Sequence, residues 1–261
     1  MYQLRLFFVA LQFFTRLPVP TWVGYDEGWL RRCARYFPLV GLLVGAVSAM
    51  VVWLAGMVLP PVLAILLSLV ASLMTTGALH EDGFADMCDG FGGGRDPTQV
   101  LAIMKDSRIG VYGAIGIGLL LAVKCAALAY LPQQTLPIAL LTAHPLSRAF
   151  STTLIWRFNY VRVDGKSASV AHRLRAGEFF FAALCGLLPL ACVVFAGLLA
   201  LPQALAGLLI AACCTAYLAR MCLRRIAGYT GDCLGAVQQL SEAGFYLGIV
   251  SSLFYISRTH Y

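Results

Sequence analysis

The chain has 261 residues, of which 60% are hydrophobic and 12% are charged, and its mean hydropathy is +0.81. A soluble domain carries about 25% charged residues, so these values exclude a soluble globular protein and a disordered chain. The apolar blocks are too long for the alternating strands of a transmembrane β-barrel, and the net charge of +7 therefore reports first on membrane orientation.

The N-terminal segment has Arg5 in front of an apolar stretch that runs from Leu6 to Phe14. Arg16, Pro18 and Pro20 follow it where a signal peptide would have small residues for cleavage, so we expect the segment to be retained. The stretch is too short to cross about 30 Å of hydrocarbon. We therefore predict a short interfacial or re-entrant helix.

Long apolar runs follow along the rest of the chain. Six are long enough to predict membrane spans, and a shorter seventh at 245–256 is doubtful. The six runs are 36–58, 62–79, 111–131, 136–156, 179–201 and 204–221. The pattern indicates an all-α, polytopic membrane bundle of six to seven transmembrane helices that forms one domain over residues 1–261.

The connections between these runs alternate in charge. The turns at 59–61, 132–135 and 202–203 contain no charged residue, whereas the other connections hold nearly all the basic residues. The basic residues are Arg31, Arg32 and Arg35 before the first run, Arg157, Arg162, Lys166, Arg173 and Arg175 between the fourth and fifth, and Arg220, Arg224 and Arg225 after the sixth. By the positive-inside rule, the charged connections are predicted to face the cytoplasm.

One connection, residues 77–97, is acidic. If the second span continues as a helix, then Asp82, Asp86 and Asp89 lie within an arc of about 60°. Like charges at this spacing repel, and a divalent cation would relieve the repulsion. Oxygen ligands favour Mg²⁺, Mn²⁺ or Ca²⁺, so the spacing predicts a metal site, with solvated loop charges as the alternative.

The acidic stretch is followed by features suited to phosphate. Glycines are expected to end the helix and to let backbone N–H groups approach an anion; they are Gly90, Gly92, Gly93 and Gly94. Asp96 and Pro97 predict a new helix, with Gln99 completing a capping box. Lys105 and Arg108, expected near the end of that helix, can face one anionic group.

Several further polar residues each allow two interpretations. His80 is a candidate base or a structural histidine. His144 and Arg148 share one face of the fourth run and either bind an anion or stabilise the bundle. For Lys124, snorkelling of the side chain to the membrane interface is as good an explanation as a functional role. Asp232 is either a helix N-cap or another metal or substrate ligand.

Three stretches of sequence resemble the cobalamin synthase family, the adenosylcobinamide-GDP ribazoletransferases. They are GALHEDGFAD at 77–86, DGFGGGRDP at 89–97 and IMKDSRIGVYG at 103–113. ALQFFTRLPVP at 10–20, HPLSR at 144–148 and TGDCLGA at 230–236 are similar to further motifs of the family, in the same order. The resemblance covers almost the whole chain.

The resemblance implies the last assembly step of coenzyme B12. A hydroxyl of α-ribazole, or of α-ribazole 5′-phosphate, attacks the phosphoryl group nearest the corrinoid in adenosylcobinamide-GDP and releases GMP. Mg²⁺ is the implied cofactor, since displacement on a diphosphate requires neutralisation of oxygen charge.

The resemblance also assigns roles to residues, which we state as expectations. The predicted metal ligands are Asp82, Asp86, Asp89 and Glu81, and the predicted catalytic residues are Asp82, Glu81 and His80. The predicted diphosphate contacts are Lys105, Arg108, Arg95, Gly92, Gly93, Gly94 and Arg148.

The expected setting is the bacterial cytoplasmic (inner) membrane, with a multi-pass chain whose active site faces the cytoplasm. The partners are the two small-molecule substrates and the lipid bilayer, with no nucleic acid. A homo-oligomer, or an association with other cobamide-assembly enzymes, stays open.

The main alternative is a cation-coupled secondary transporter in which the acidic cluster binds the ion. Transport sites usually lie near the bilayer midplane on broken helices in repeated halves, and the sequence shows no inverted repeat. A scaffold subunit for other membrane enzymes would leave the carboxylate face unexplained.

Overall fold

A computed structural model describes residues 1–24, 26–162 and 173–259 of the chain, so Lys166 of the predicted basic loop lies outside the described residues. Within these ranges the chain is helical, which confirms the predicted all-α class. The helices are α1 (Tyr2–Phe14), α2 (Glu27–Cys33), α3 (Phe37–Ala55), α4 (Pro61–Thr76), α5 (Leu79–Gly93), α6 (Pro97–Ile103), α7 (Val111–Ala129), α8 (Leu136–Arg157), α9 (Ala176–Phe195), α10 (Leu201–Ile226) and α11 (Gly231–Thr259).

The membrane character of the chain rests on its long apolar helices. Four helices of the described part are long and apolar enough to cross a membrane: α3 together with the turn before it, α7, α9 and α10. The pair α4 and α5 also qualifies if it counts as one span with a 90° bend. These helices make the chain a multi-pass membrane protein.

Two further helices, α8 and α11, are long enough to cross but less apolar. At 22 and 29 residues they extend about 33 Å and 43 Å. Their low apolarity has a structural cause, because polar side chains on both helices are buried inside the bundle. Intramembrane polar groups are expected to face such an interior.

The end of the chain differs from the sequence prediction. Residues 245–256 do not form a separate short span, because they are the second half of the continuous helix α11. The helix begins at Gly231, so Asp232 lies in its first turn and is not its N-cap. Thr230 caps the helix instead, since the Cys233 amide donates to its Oγ1 at 3.4 Å.

The predicted short N-terminal helix is confirmed as α1, which has 13 residues. One of its faces is buried against the bundle and consists of Leu6, Val9, Ala10, Leu11 and Phe14. After α1 ends, the Arg16 amide donates to the carbonyl of Thr75 at 2.8 Å, which joins this segment to the end of α4.

Glycines allow α5 and α11 to cross closely. A Cβ added at Gly83 would lie 2.9 Å from the Cα of Asp232, and one added at Gly235 would lie 2.9 Å from the carbonyl oxygen of His80. Small residues permit the same close approach of helices in membrane bundles generally. The crossing brings the acidic helix α5 against the start of α11.

The interior of the bundle is layered. One apolar cluster gathers α1, the start of α3 and the ends of α8 and α10, and a second gathers the opposite ends of those spans. Between them, α8 and α11 place a run of buried polar residues. These are Thr142, His144, Ser147, Arg148 and Ser151 on α8, and Gln238, Gln239, Ser241 and Glu242 on α11. This polar layer adjoins the acidic segment.

Candidate active site

The acidic helix is set off by a sharp bend in the chain. Gly77 and Ala78 both have left-handed backbone, with φ of 66° and 58°, and helices α4 and α5 meet there at 90°. A left-handed residue is a common helix ending. The bend stops α4 and turns residues 79–93 toward α7 and α11.

A cavity of about 80 Å³ lies where α1, α3, α5, α8 and α11 meet. Its wall includes the three phenylalanines Phe13, Phe14 and Phe37, together with His80, Asp82, Arg148, Ser151 and Asp232. The His80 ring stacks on Phe14, with ring centroids 5.6 Å apart and planes 17° apart. The cavity thus combines an aromatic surface with carboxylates and one guanidinium.

Three carboxylates of α5 and α11 interact electrostatically, and two of them, Asp82 and Asp232, line the cavity. Asp82 is exposed and Asp86 is half-buried on α5, and α11 adds Asp232, whose charge acts on both of them. Arg162 offsets part of this negative charge, with its Nη2 atom 2.8 Å from Oδ2 of Asp232. Asp232 is a member of the cluster that the spacing within residues 77–97 did not reveal.

The carboxylates do not form a closed metal cage. Among the described residues, no group of three His, Cys, Asp or Glu side chains is arranged to hold a metal ion. Mg²⁺, however, usually binds through one or two carboxylates plus substrate phosphates and water. Asp82, Asp86 and Asp232 fit that open mode of binding in their donor chemistry and in their unbalanced charge.

Asp89 differs from these three carboxylates because its hydrogen bonds go to the backbone at the start of α7. Its two carboxylate oxygens accept hydrogen bonds from the amides of Gly110 at 2.7 Å and Gly113 at 2.8 Å. Those amides belong to the start of α7, where backbone N–H groups have no partner within the helix. The structure therefore gives Asp89 a capping role that closes α7 onto α5.

Glu81 is buried at 8% exposure and points into the polar layer. Its Oε1 accepts a hydrogen bond from Gln239 Nε2 at 2.7 Å. Its Oε2 has no hydrogen-bond partner among the described residues. Glu81 is not part of the cavity wall, although its neighbours His80 and Asp82 are.

Arg148 reaches the cavity from α8. It is 3% exposed, and its Nη1 donates to the carbonyl oxygen of His144 at 3.0 Å. Its Nε is buried without a hydrogen-bond partner among the described residues. A buried guanidinium that keeps an unused donor beside a cavity is suited to hold an anion there.

The glycine run has a different arrangement from the one predicted. Helix α5 ends within the run as predicted, at Gly93 with Gly94 as its C-cap, but the run does not present backbone N–H groups to an anion. The Gly94 amide donates to the Gly90 carbonyl at 2.9 Å. The carbonyls of Phe91 and Gly94 accept hydrogen bonds from Arg225 Nη2 at 2.9 Å and 2.6 Å. In this structure the run presents carbonyl groups to a cation.

Close packing accounts for the small residues in this run. A Cβ at Gly92 would lie 2.5 Å from the Tyr112 ring, and one at Gly94 would lie 2.5 Å from the Val100 side chain. Gly93 has more room, since its nearest neighbour would be 3.4 Å away. The predicted contacts of these glycines with a diphosphate remain predictions.

The helix start predicted at Asp96 is confirmed in detail. Asp96 Oδ1 accepts from the Gln99 amide at 2.9 Å, and Gln99 Oε1 accepts from the Arg95 amide at 2.8 Å. Pro97 is the first residue of α6. The side chain of Arg95 is exposed to solvent.

The predicted cations lie beyond α6 and not within it. The helix ends at Ile103, so Lys105 and Arg108 belong to the turn that follows, and both are exposed. Arg108 Nη2 lies 2.6 Å from Asp106 Oδ2. Hydrogen bonds from Arg108 lower the pKa of Asp106 to about 2.

The main feature that sequence reasoning missed is the set of contacts around Lys124. This lysine is 2% exposed and lies 2.8 Å from Glu242 Oε1 on α11. It therefore does not snorkel. Hydropathy flags such a residue as costly, but nothing in the sequence identifies a partner 118 positions away.

Comparison with known proteins covers nearly the whole chain. The family model described as Cobalamin-5-phosphate synthase matches residues 6–250. The chain is similar to the adenosylcobinamide-GDP ribazoletransferase of Shewanella frigidimarina, with 44% identity over 260 residues that cover 95% of each chain. It is also 44% identical to the enzyme of that name from Leptothrix cholodnii over 97% of this chain and 98% of the relative, and 42% identical to that of Ralstonia pickettii over 93% of both. No solved structure matches the chain.

Proposed function

The chain belongs to the Cobalamin-5-phosphate synthase family, and from this membership we propose that it joins adenosylcobinamide-GDP to α-ribazole or its 5′-phosphate. The hydroxyl oxygen of the ribazole forms a bond to the phosphorus nearest the corrinoid. The bond from that phosphorus to the bridging oxygen breaks, and GMP leaves with that oxygen. The hydroxyl proton passes to a base or to water.

The observation that carries this proposal is the composition of the cavity wall. A transfer between two phosphorylated or hydroxylated ligands needs a place for anionic oxygens beside a place for a cation. The cavity wall combines Arg148, whose buried Nε has no hydrogen-bond partner among the described residues, with the carboxylates of Asp82 and Asp232. The phenylalanines provide an apolar surface for the flat ring system of a substrate.

We propose Mg²⁺ as the cofactor, held by one or two of the carboxylates of Asp82, Asp86 and Asp232 together with substrate phosphates and water. When bound, Mg²⁺ supplies positive charge to phosphoryl oxygens and favours departure of the leaving group. Asp89 is less suited to this role than predicted, because both its oxygens already accept backbone hydrogen bonds.

The other predicted contacts divide between the cavity and the surface. Arg148 would hold a phosphate inside the cavity, and His80, which lines the same cavity, would accept the hydroxyl proton. The exposed cations Arg95, Lys105 and Arg108 lie on the solvent side of the acidic segment. There they would raise the local concentration of anionic substrates by electrostatic attraction, which salt weakens.

A transporter is less well supported than a transferase. Asp82 and Asp86 lie just after the bend between α4 and α5, where Asp82 is exposed and Asp86 is half-buried, whereas a coupling-ion site is expected inside the bundle near the midplane. The relatives that match the full chain bear the name of a transferase.

Purified protein in lipid nanodiscs tests the proposal. We expect GMP to appear in a one-to-one ratio with the joined product when adenosylcobinamide-GDP, ribazole and Mg²⁺ are all present. EDTA should abolish the release, and Mg²⁺ in excess should restore it. Release of GMP without ribazole, or no release under any condition, would contradict the assignment.

We also propose that the acidic segment faces the cytoplasm of a bacterial inner membrane. The charge-free turns and the basic loops support this orientation. In a variant without native cysteines, Asp96→Cys should react with a membrane-impermeant maleimide in inverted vesicles but not in intact cells. Rapid labelling in intact cells would reverse the topology.

A further inference from the structure

The proposed chemistry leaves unused a ring of buried side chains next to α5. Lys124 Nζ donates to Gln239 Oε1 at 2.6 Å and to Glu242 Oε1 at 2.8 Å. Gln239 Nε2 donates to Gln238 Oε1 at 2.8 Å, and Gln238 Nε2 donates to Glu242 Oε2 at 2.7 Å. These four side chains close a hydrogen-bonded circuit, and each is at most 2% exposed. We call it the buried ring.

The chemistry of the ring fixes the direction of every bond in it. A lysine ammonium only donates and an ionised carboxylate only accepts, so Gln239 must turn its carbonyl toward Lys124. Its Nε2 group then points away from Lys124, and it donates to Glu81 Oε1 at 2.7 Å as well as to Gln238. The ring therefore presents a hydrogen-bond donor to α5 at one fixed point.

Glu81 receives this donor on the side of α5 that faces away from the cavity. Consecutive residues on a helix are about 100° apart, so Glu81 points opposite to the midpoint between His80 and Asp82. Both of those residues line the cavity, and Glu81 does not. Fixing Glu81 thus fixes the rotation of α5 that aims its two neighbours at the cavity.

The crossing with α11 brings the backbones close at Gly83 and Gly235, and neither glycine has a side chain that would orient α5 about its axis. Glu81 is the one acidic residue of α5 that bonds to the buried ring in the described part of the chain.

We propose that the buried ring is a positioning device that acts through Glu81 to aim Asp82 and His80 into the cavity. The donor group, Nε2 of Gln239, is held in place by the four side chains of the buried ring: Lys124, Gln238, Gln239 and Glu242. Glu81 accepts the hydrogen bond from this donor and thereby fixes the orientation of α5. Glu81 is accordingly a positioning residue, in place of the ligand or base predicted from the sequence. The inference rests on the proposed function of the cavity, because the orientation of Asp82 acts on the rate of turnover in that cavity.

Two variants of Glu81 separate positioning from direct chemistry. Glu81→Gln keeps an oxygen that accepts from Gln239, so kcat should stay within about threefold of the parent enzyme. Glu81→Leu removes the acceptor, and kcat should fall roughly 10- to 100-fold, the scale of a small misplacement of a reacting group. If Glu81→Gln is as inactive as Glu81→Leu, then the carboxylate takes part in the chemistry and the proposal is wrong.

Gln239→Leu and Gln238→Leu form the matched pair for the ring itself. Both are buried amides on the same helix and in the same circuit, but only Gln239 contacts Glu81. We expect Gln239→Leu to lower kcat at least tenfold with KM changed less than about threefold, and Gln238→Leu to have the smaller effect on kcat. Equal losses of kcat per folded protein would make the ring merely structural.

Folding is monitored in parallel by the thermal midpoint of each purified variant. If Gln239→Leu does not fold, the near-isosteric Glu81→Gln still decides the question on its own. The parent enzyme provides the separate control for the proposed function. An inactive parent would refute the function, whereas an active parent with an inactive Glu81→Gln would refute only the positioning role.

Discussion

The buried polar layer and the exposed segment 95–108 differ in how far along the chain their polar side chains find hydrogen-bond partners. In the exposed segment the hydrogen bonds that side chains make are to partners within four residues, as for Asp96 with Gln99 and Asp106 with Arg108. In the interior the bonds between helices join remote residues: Lys124 bonds to Glu242 across 118 residues, and Glu81 bonds to Gln239 across 158. Local contacts shape the surface of this protein, whereas long-range contacts determine where the catalytic candidates point.

The largest effect is expected for a substitution in the buried Lys124–Glu242 pair, and it should appear as a loss of stability. Lys124→Met leaves Glu242 buried without its counter-ion, which typically costs about 3–5 kcal/mol. We expect low yields in the membrane and a much lower thermal midpoint. The double variant Lys124→Met/Glu242→Gln should recover a large part of the loss, since neither charge then remains. A double variant no more stable than the single one would show that the ion pair is not the cause.

Asp82→Asn should have the next largest effect, and on turnover alone. Loss of one ligand charge at the cavity is expected to lower kcat by about 100- to 1,000-fold, measured over a Mg²⁺ titration. The thermal midpoint should be unchanged because Asp82 is exposed and its removal relieves repulsion. Asp106→Asn, which removes a carboxylate outside the cavity, is the control. Near-normal turnover of Asp82→Asn at limiting Mg²⁺ would remove Asp82 from the ligand set.

Asp89→Asn tests whether two carboxylates on the same helix have different tasks. An asparagine oxygen can accept from only one of the amides of Gly110 and Gly113, and its NH₂ group opposes the other. We expect a loss of about 1–3 kcal/mol in the free energy of unfolding, with the Mg²⁺ concentration for half-maximal activity unchanged. The reverse result, a shifted Mg²⁺ dependence with normal stability, would restore Asp89 as a ligand.

The smallest effect is expected for a substitution of Arg108, which lies in the exposed segment 95–108. Its guanidinium already bonds Asp106 and is 86% exposed. Because the pKa of Asp106 is lowered to about 2, that carboxylate stays ionised and the pair stays formed at any neutral pH. We expect Arg108→Lys to change kcat and KM by less than about twofold. A larger, salt-insensitive change would instead indicate a direct bidentate grip on the diphosphate.

The elements and signals that the sequence predicted well are those with short-range causes. The helix start at Asp96–Pro97 and the short α1 follow from capping chemistry and hydropathy. Four of the six predicted apolar runs also form helices that are long and apolar enough to span a membrane by themselves. The end of α5 within its glycine run also follows from local chemistry, whereas the packing of Gly92 on Tyr112 depends on a contact between helices and was not predicted.

The candidate site could be predicted only in part, for the same reason. The spacing of Asp82 and Asp86 indicated a shared face, but the sequence could not show that Asp232 joins them from α11. Nor could it show that Asp89 caps α7 or that Lys124 is paired, because both facts depend on how separate helices cross. Helix crossings are set by close contacts such as Gly83 on α11, which leave no periodic signal.

The pairing of Lys124 with Glu242 also bears on how the chain is made. Helix α7 carries its lysine into the membrane at a stage of synthesis when α11 has not yet been translated, so the charge has no partner until 118 more residues have emerged. An isolated charge in hydrocarbon is costly, and α7 would therefore stay near the insertion machinery, or loosely placed, until α11 arrives. The entry of α11 thus neutralises the charge on α7 and brings Asp232 to the cavity wall in the same event.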